Sequence, residues 1–317
     1  MQGFERTIGI TAPFNAAAFG HGPKSGDLIH ILDPLSKIEC ATLGEIIADV
    51  GCWVRVAPRV GMTFTDLTWL RNLVGCTKLW LDITPKCALT QETISGLSKD
   101  IRSLTLPYRA GAFYLRVAFA QLAQLESLVV SGKLTDLVFL RDLVNLKELT
   151  LFRAQLKNVN GAARFHSLTS LSVERSKLQS AAGLEGIPKL VTLLVFDSTI
   201  EDAEGIGKCS GLERLEIVST KLGGASSIPR SNMKYLRLVS VRPPFSLESV
   251  WEIPQLEFLS HDGGASELEG SFRPSRHPTL KKAYFGAVDR QKARLLSKLS
   301  HVKVVNEEHG MPFTFGC

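Results

Sequence analysis

The chain lacks any uninterrupted apolar run of the roughly 18 residues that a membrane-spanning helix needs, so no helix crosses a membrane. Cysteine is scarce and scattered. Cys40, Cys52, Cys76, Cys87, Cys209 and Cys317 form no CxxC pair, which excludes a zinc site with clustered ligands and a dense disulfide framework. No Asn-x-Ser/Thr acceptor occurs. The one candidate for targeting, the stretch Ile8–Phe14 after Arg6, contains a Thr, a Gly and Pro13 and is expected to make a poor signal-peptide core. Together these absences predict a reducing, cytoplasmic setting.

Marks of catalysis are equally thin. Neither GxSxG nor HExxH is present, and the seven histidines are dispersed. Gly20–Gly26 resembles a phosphate loop only on the surface. Pro23 separates Gly22 from Lys24 and supplies no N–H to a phosphate, so it reads as a turn. His261-Asp262 reads as a structural dipeptide rather than an acid–base pair. The chain is expected not to be an enzyme and to need no cofactor or metal.

What the sequence has is a period. Leu146, Leu149, Leu151 and Leu156 recur as Leu168, Leu171, Val173, Leu178, then Leu190, Leu193, Val195, Ile200, then Leu212, Leu215, Ile217, Leu222. The pattern is LxxLxLxxxxL, and FTDLTWLRNLV at 64–74 nearly repeats as LTDLVFLRDLV at 134–144. Counting each unit from its first apolar residue, starts fall at 51, 76, 101, 125, 146, 168, 190, 212, 233, 256, 280 and 299. Positions 4 and 6 share one face of a short strand because side chains alternate. A single unit cannot bury its apolar residues, but stacked units bury them against one another and pair the strands in parallel.

This pattern resembles the leucine-rich repeat superfamily over residues 51–305. The 21–22-residue spacing is similar to the short-repeat class of internalins and phosphatase regulatory subunits. The resemblance implies an α/β solenoid: a curved right-handed stack with a parallel sheet on its concave face and short 3₁₀ or helical turns on its convex face. Such families usually place Asn at position 9. Here that position holds Lys133, Ala154, Ser176, Ser198, Thr220 and Val241; Ser and Thr can replace part of the amide's hydrogen bonding, Ala and Val cannot. Residues 1–50 fall outside the period and are expected to form an amino-terminal cap, with Leu28–Leu32 pairing as an extra edge strand. Residues 306–317 form a tail, and 289–299 is expected to be a short helix.

Positions 3, 5, 7 and 8 should face outward from the sheet. The aromatics there are Trp53, Trp80, Tyr108, Phe152, Phe196, Tyr235, Phe258 and Tyr284. Charged residues among them include Arg55, Lys78, Asp82, Glu148, Arg153, Glu174, Arg175, Asp197, Arg214, Glu216 and Arg237. Aromatics interleaved with Arg and acids are typical of the energetic centres of protein interfaces. Twelve strands spaced about 4.8 Å apart would make a docking wall of roughly 50 Å. The expectation is a non-catalytic module that binds another protein there, such as a toxin or enzyme domain, as an inhibitor or bacterial immunity protein. A scaffold and a secreted effector are alternatives. A further alternative is nucleic-acid binding through 271–317, whose nine Lys/Arg against three Asp/Glu equal the whole net charge of +6. The mixed signs of the outward residues argue against a nucleic-acid groove.

Overall fold

A computed structural model describes residues 4–19, 21–83, 90–106, 119–132, 134, 136–224, 228–229, 231–242, 247–261, 277–285 and 303–306. Tyr108, the 289–299 helix and most of 271–317 lie outside them. The chain divides into two compact units, one ending at Thr150 and one running from Leu151 to Phe313.

In the first unit, β1 (Thr7–Ile10), β2 (Leu28–Ile31), β3 (Trp53–Val56), β4 (Lys78–Leu81), β5 (Ser103–Thr105) and β6 (Ser127–Ser131) pair in parallel and in chain order. Alternate residues point inward: Val54, Val56, Leu79, Leu81, Leu104 and Leu128 are all buried. The return path is helical, through Lys37–Ile47, Thr68–Asn72, Gln91–Gly96, Ala120–Leu122 and Val138–Leu140. Lys37–Ile47 starts at a capping box, where Ser36 Oγ accepts from Glu39 N–H and the Glu39 carboxylate accepts from Ser36 N–H. The duplicated segments behave alike. Asp66 and Asp136 accept the N–H two residues on, at 2.8 and 3.0 Å, and so start each 3₁₀ turn. Leu28–Ile31 is not an edge strand, because β1 pairs along its far side. Thr-Ile-Gly-Ile carries a mid-strand glycine and is soon followed by Pro13, which masks its strand character.

The strand β7 (Glu148–Phe152) holds the division between units, and β8 (Gln155–Leu156) follows it. In the second unit β9 (Ser170–Glu174), β11 (Thr192–Phe196), β13 (Arg214–Val218), β15 (Tyr235–Val239), β16 (Phe258–His261), β17 (Lys282–Phe285) and β18 (Lys303–Asn306) form one parallel ladder. A second, narrow parallel sheet joins β8 to β10 (Lys177–Ser180), β12 (Thr199–Asp202) and β14 (Lys221–Leu222). Each unit is thus a leucine-rich-repeat solenoid: parallel strands on one side, 3₁₀ or helical turns on the return. The helix Glu204–Gly207 packs so closely that a Cβ on Gly205 would lie 2.3 Å from the Ala181 carbonyl oxygen, which explains the glycine there.

Position 9 forms a hydroxyl ladder in place of an amide ladder. Ser176 Oγ accepts from Ala154 N–H at 2.9 Å, Ser198 Oγ from Ser176 N–H at 3.0 Å, and Thr220 Oγ1 from Ser198 N–H at 3.4 Å. The hydroxyls in turn donate to Glu174, Phe196 and Val218 carbonyls at 2.7, 2.7 and 2.8 Å. Each rung serves the preceding coil, so Ala154 loses nothing on its own N–H by lacking a polar side chain.

Candidate binding face

Among the described residues the parallel register sorts the outward positions into rows. Strands about 4.8 Å apart bring side chains in one row to stacking distance. On the second unit, Arg214, Tyr235, Phe258 and Lys282 share one row. The Arg214 guanidinium lies 4.3 Å from the Tyr235 ring centroid, and Tyr235 stacks on Phe258 at 4.1 Å with an interplanar angle of 1°. Tyr284 closes on Phe258 from the neighbouring row at 5.2 Å. Each such contact is worth about 0.5–1.5 kcal/mol beyond simple burial.

Glu216 departs from expectation. It occupies an outward position but is only 4% exposed. Arg214 Nε donates to Glu216 Oε1 at 2.8 Å, a second Arg214 nitrogen reaches the same oxygen, and Arg237 lies 3.5 Å from Oε2. Two guanidinium groups offset the desolvation that a buried carboxylate suffers. Burial, with Glu216 second, pushes the Tyr235 phenol above its ordinary range. Glu174 also sits half-buried. Burial raises its carboxyl although the Ser172 hydroxyl donates to it at 2.9 Å.

A second cluster in the same unit gathers Phe152, Arg153, Arg175 and Asp197. Arg153 and Arg175 lie 5.2 and 5.9 Å from the Phe152 ring centroid, and Arg175 is 3.7 Å from Asp197. Phe196 stands in register with Glu174 and Val218. The first unit carries a separate group. Arg55 lies over Trp80 at 4.5 Å while its Nε donates to Asp82 at 3.1 Å, and Trp53 is in register with Lys78. His30 precedes Arg55 in that row; burial first, and Arg55 next, lower its pKa. Glu148 is exposed in the first unit, and Tyr108 falls outside the described residues.

Among the described residues the outward aromatics and charges gather in local clusters, of which the second unit has the densest. Apolar neighbours that an aromatic-and-charge reading passes over are Leu194, Val218 and Val239, all at outward positions. Their place in the alternation was the available signal. Among the described residues no group of three or more His, Cys, Asp or Glu side chains is placed to hold a metal ion. His261 is buried on the inward side of β16, which suits packing rather than acid–base chemistry. Of the basic carboxy-terminal segment, Lys281 is described and pairs with Glu257 at 2.8 Å.

No protein-family model and no curated protein matches the chain. Solved structures do. An internalin from Listeria monocytogenes aligns over 90% of this chain and 82% of its own, at 16% identity and a TM-score of 0.58, which shows a shared leucine-rich-repeat fold. A second Listeria monocytogenes internalin, internalin C2, aligns over 71% of this chain and 78% of its own at 22% identity and a TM-score of 0.38. The leucine-rich-repeat ectodomain of a membrane receptor kinase from Arabidopsis thaliana aligns over 86% and 35%, at 18% identity and a TM-score of 0.43.

The likeness to the first internalin corrects the cytoplasmic location expected above, since a protein of that kind shares the architecture. The cysteine argument fails for a physical reason. Cys40, Cys52, Cys76 and Cys209 are free thiols buried in the core, and burial pushes them up to about 11, 11, 12 and 12. Thiols buried as small packing residues are compatible with either compartment, so cysteine usage does not locate the chain.

Proposed function

We propose that the chain is a non-catalytic binding module that docks another protein on the outward sheet face of its second unit, centred on Tyr235. The stacked Arg214–Tyr235–Phe258 row carries this reading: large aromatic surface, held rigid by its neighbours, beside guanidinium groups. Residues 1–50 serve in the same proposal as the amino-terminal cover of an array spanning 51–305, with β1 as the outermost strand. The short-repeat class suits the 21–22-residue central spacing. A narrower form of the proposal is an inhibitor or immunity protein, whose docking silences the partner's own activity.

The test uses immobilised full-length chain to capture partners from the source cell, followed by calorimetry on the purified pair. Tyr235→Ala and Phe152→Ala should each weaken binding by about 2 kcal/mol; because Tyr235→Ala also gives up its contacts with Arg214 and Phe258, affinity is read at a temperature where melting curves show both variants folded. Unaltered affinity in both variants would move the interface elsewhere. Loss of the partner's activity on binding would support the inhibitor form, and full activity in the complex would exclude it.

A further inference from the structure

The chemistry of the Tyr235 face narrows what can dock there. Along β13, β15, β16 and β17 the outward positions offer three cations, Arg214, Arg237 and Lys282, against one carboxylate, Glu216. That carboxylate is 4% exposed and already held by Arg214 and Arg237. Hydrogen-bond capacity turned to solvent is therefore dominated by donors. Each guanidinium has five N–H groups, more than Glu216 can occupy. An arriving acid would meet two surplus positive charges; an arriving base would meet like charge.

The rings sharpen the choice. Tyr235 and Phe258 lie face to face, with Arg214 over the outer side of Tyr235 and Tyr284 tilted against Phe258. Their faces are consumed within the row and their edges are left for a partner. Ring edges carry the positive end of the aromatic quadrupole, which adds to the attraction for an anion. Nucleobases bind aromatic platforms through exposed ring faces, and this row presents none without being taken apart. Beside it lie half-exposed Leu194, Phe196 and Val239, which suit an apolar side chain.

We propose that this face recognises a protein segment presenting an Asp or Glu carboxylate next to an aliphatic or aromatic residue, the acid meeting Arg214, Arg237 and Lys282 and the apolar residue meeting Leu194, Phe196 and Val239. The proposal rests on the preceding reading that the Tyr235 face binds protein, and adds the partner's chemistry to it.

A random twelve-residue peptide display library selected on the full-length chain tests both parts. Enriched peptides should carry Asp or Glu beside Leu, Ile, Phe or Trp. Synthetic copies with each acid replaced by its amide should bind at least tenfold more weakly, a comparison that leaves the protein untouched. Tyr235→Ala and Lys282→Gln should each weaken the acidic peptides severalfold, while Lys157→Ala, exposed on β8's side of the coil, should not. Failure to enrich any peptide, or enrichment of neutral or basic ones, would overturn the proposal. Equal binding of acid and amide peptides that remains sensitive to Tyr235→Ala would sink the acidic chemistry and leave the face standing. Binding indifferent to Tyr235→Ala would sink the face itself. A labelled twenty-nucleotide oligothymidine that competes with the peptides more strongly than they bind would replace protein with nucleic acid as the occupant.

Discussion

Ser198→Ala should weaken the second unit by about 2 kcal/mol, a large effect for removing one oxygen. The hydroxyl is buried and does two things: it accepts from Ser176 N–H at 3.0 Å and donates to the Phe196 carbonyl at 2.7 Å. The carbonyl keeps a partner when the hydroxyl goes, because Arg175 N–H donates to it at 2.8 Å. The amide does not. A buried N–H left unsatisfied costs about 1–3 kcal/mol, and the lost donation to the carbonyl adds a smaller share. Urea denaturation should show a lower midpoint, with Ser210→Ala, on an exposed serine, as the reference. Hydrogen exchange gives the local readout, since protection at the Ser176 amide should fall more than at amides of β13. A loss below about 0.5 kcal/mol, with Ser176 protection intact, would mean that the hydroxyl ladder does not bind coil to coil.

Two further outcomes follow from the same packing. Leu193→Ala should lose about 2–5 kcal/mol, because Leu193 is 1% exposed between Leu171 and Leu215, whereas Leu194→Ala, one residue along the same strand, should lose far less; similar melting points for the two variants would refute the inward–outward register. Asp27 is buried and accepts from Arg6 and from Lys24 N–H, and the Arg6 hydrogen bond is the main cause holding its carboxyl below the usual range. A folded-state pKa below the unfolded one adds stability above the unfolded value and loses it as pH falls through the folded one. The thermal midpoint of the wild type should therefore drop from about pH 4 downward more steeply than that of Asp27→Asn; parallel curves would show that Asp27 is not responsible.

The coil-by-coil core was legible because a strand's alternation and a coil's period are both printed in the order of residues. Leu149, Leu151, Leu171, Val173, Leu193 and Val195 are inward for that reason alone, and all are buried. The rows of the candidate face were legible in the same way, but the contacts within them were not. Position 5 marks Glu216 as outward, yet its burial depends on which way Arg214, Arg237 and Tyr235 turn, and that choice is made across coils. The period also says nothing of where one compact unit gives way to the next, because the spacing of 21 or 22 residues runs straight through Thr150. Cysteine usage misled for the converse reason: composition counts thiols, but reactivity follows burial.

The turn after each outer strand shows most clearly what a residue pattern hides. Arg153, Arg175, Asp197, Ser219 and Ser240 occupy the same place in successive coils, all left-handed with φ between 47° and 53°. A left-handed position is where glycine or asparagine is expected, and none of the five is either. The stack itself makes this conformation tolerable. The N–H of each of the first four residues is fixed to the following coil, donating to Glu174, Phe196, Val218 and Val239 at 2.8, 2.8, 3.0 and 2.8 Å. Because those bonds repeat, the strain of one turn is held by the ladder rather than relieved by residue choice. Glycine would relieve it and would delete the side chain. At Arg153, Arg175 and Asp197 the side chains retained are the ones gathered at Phe152. Strain kept where a smaller residue would remove it points to use, which supports counting the Phe152 cluster with the Tyr235 row in the docking face proposed above.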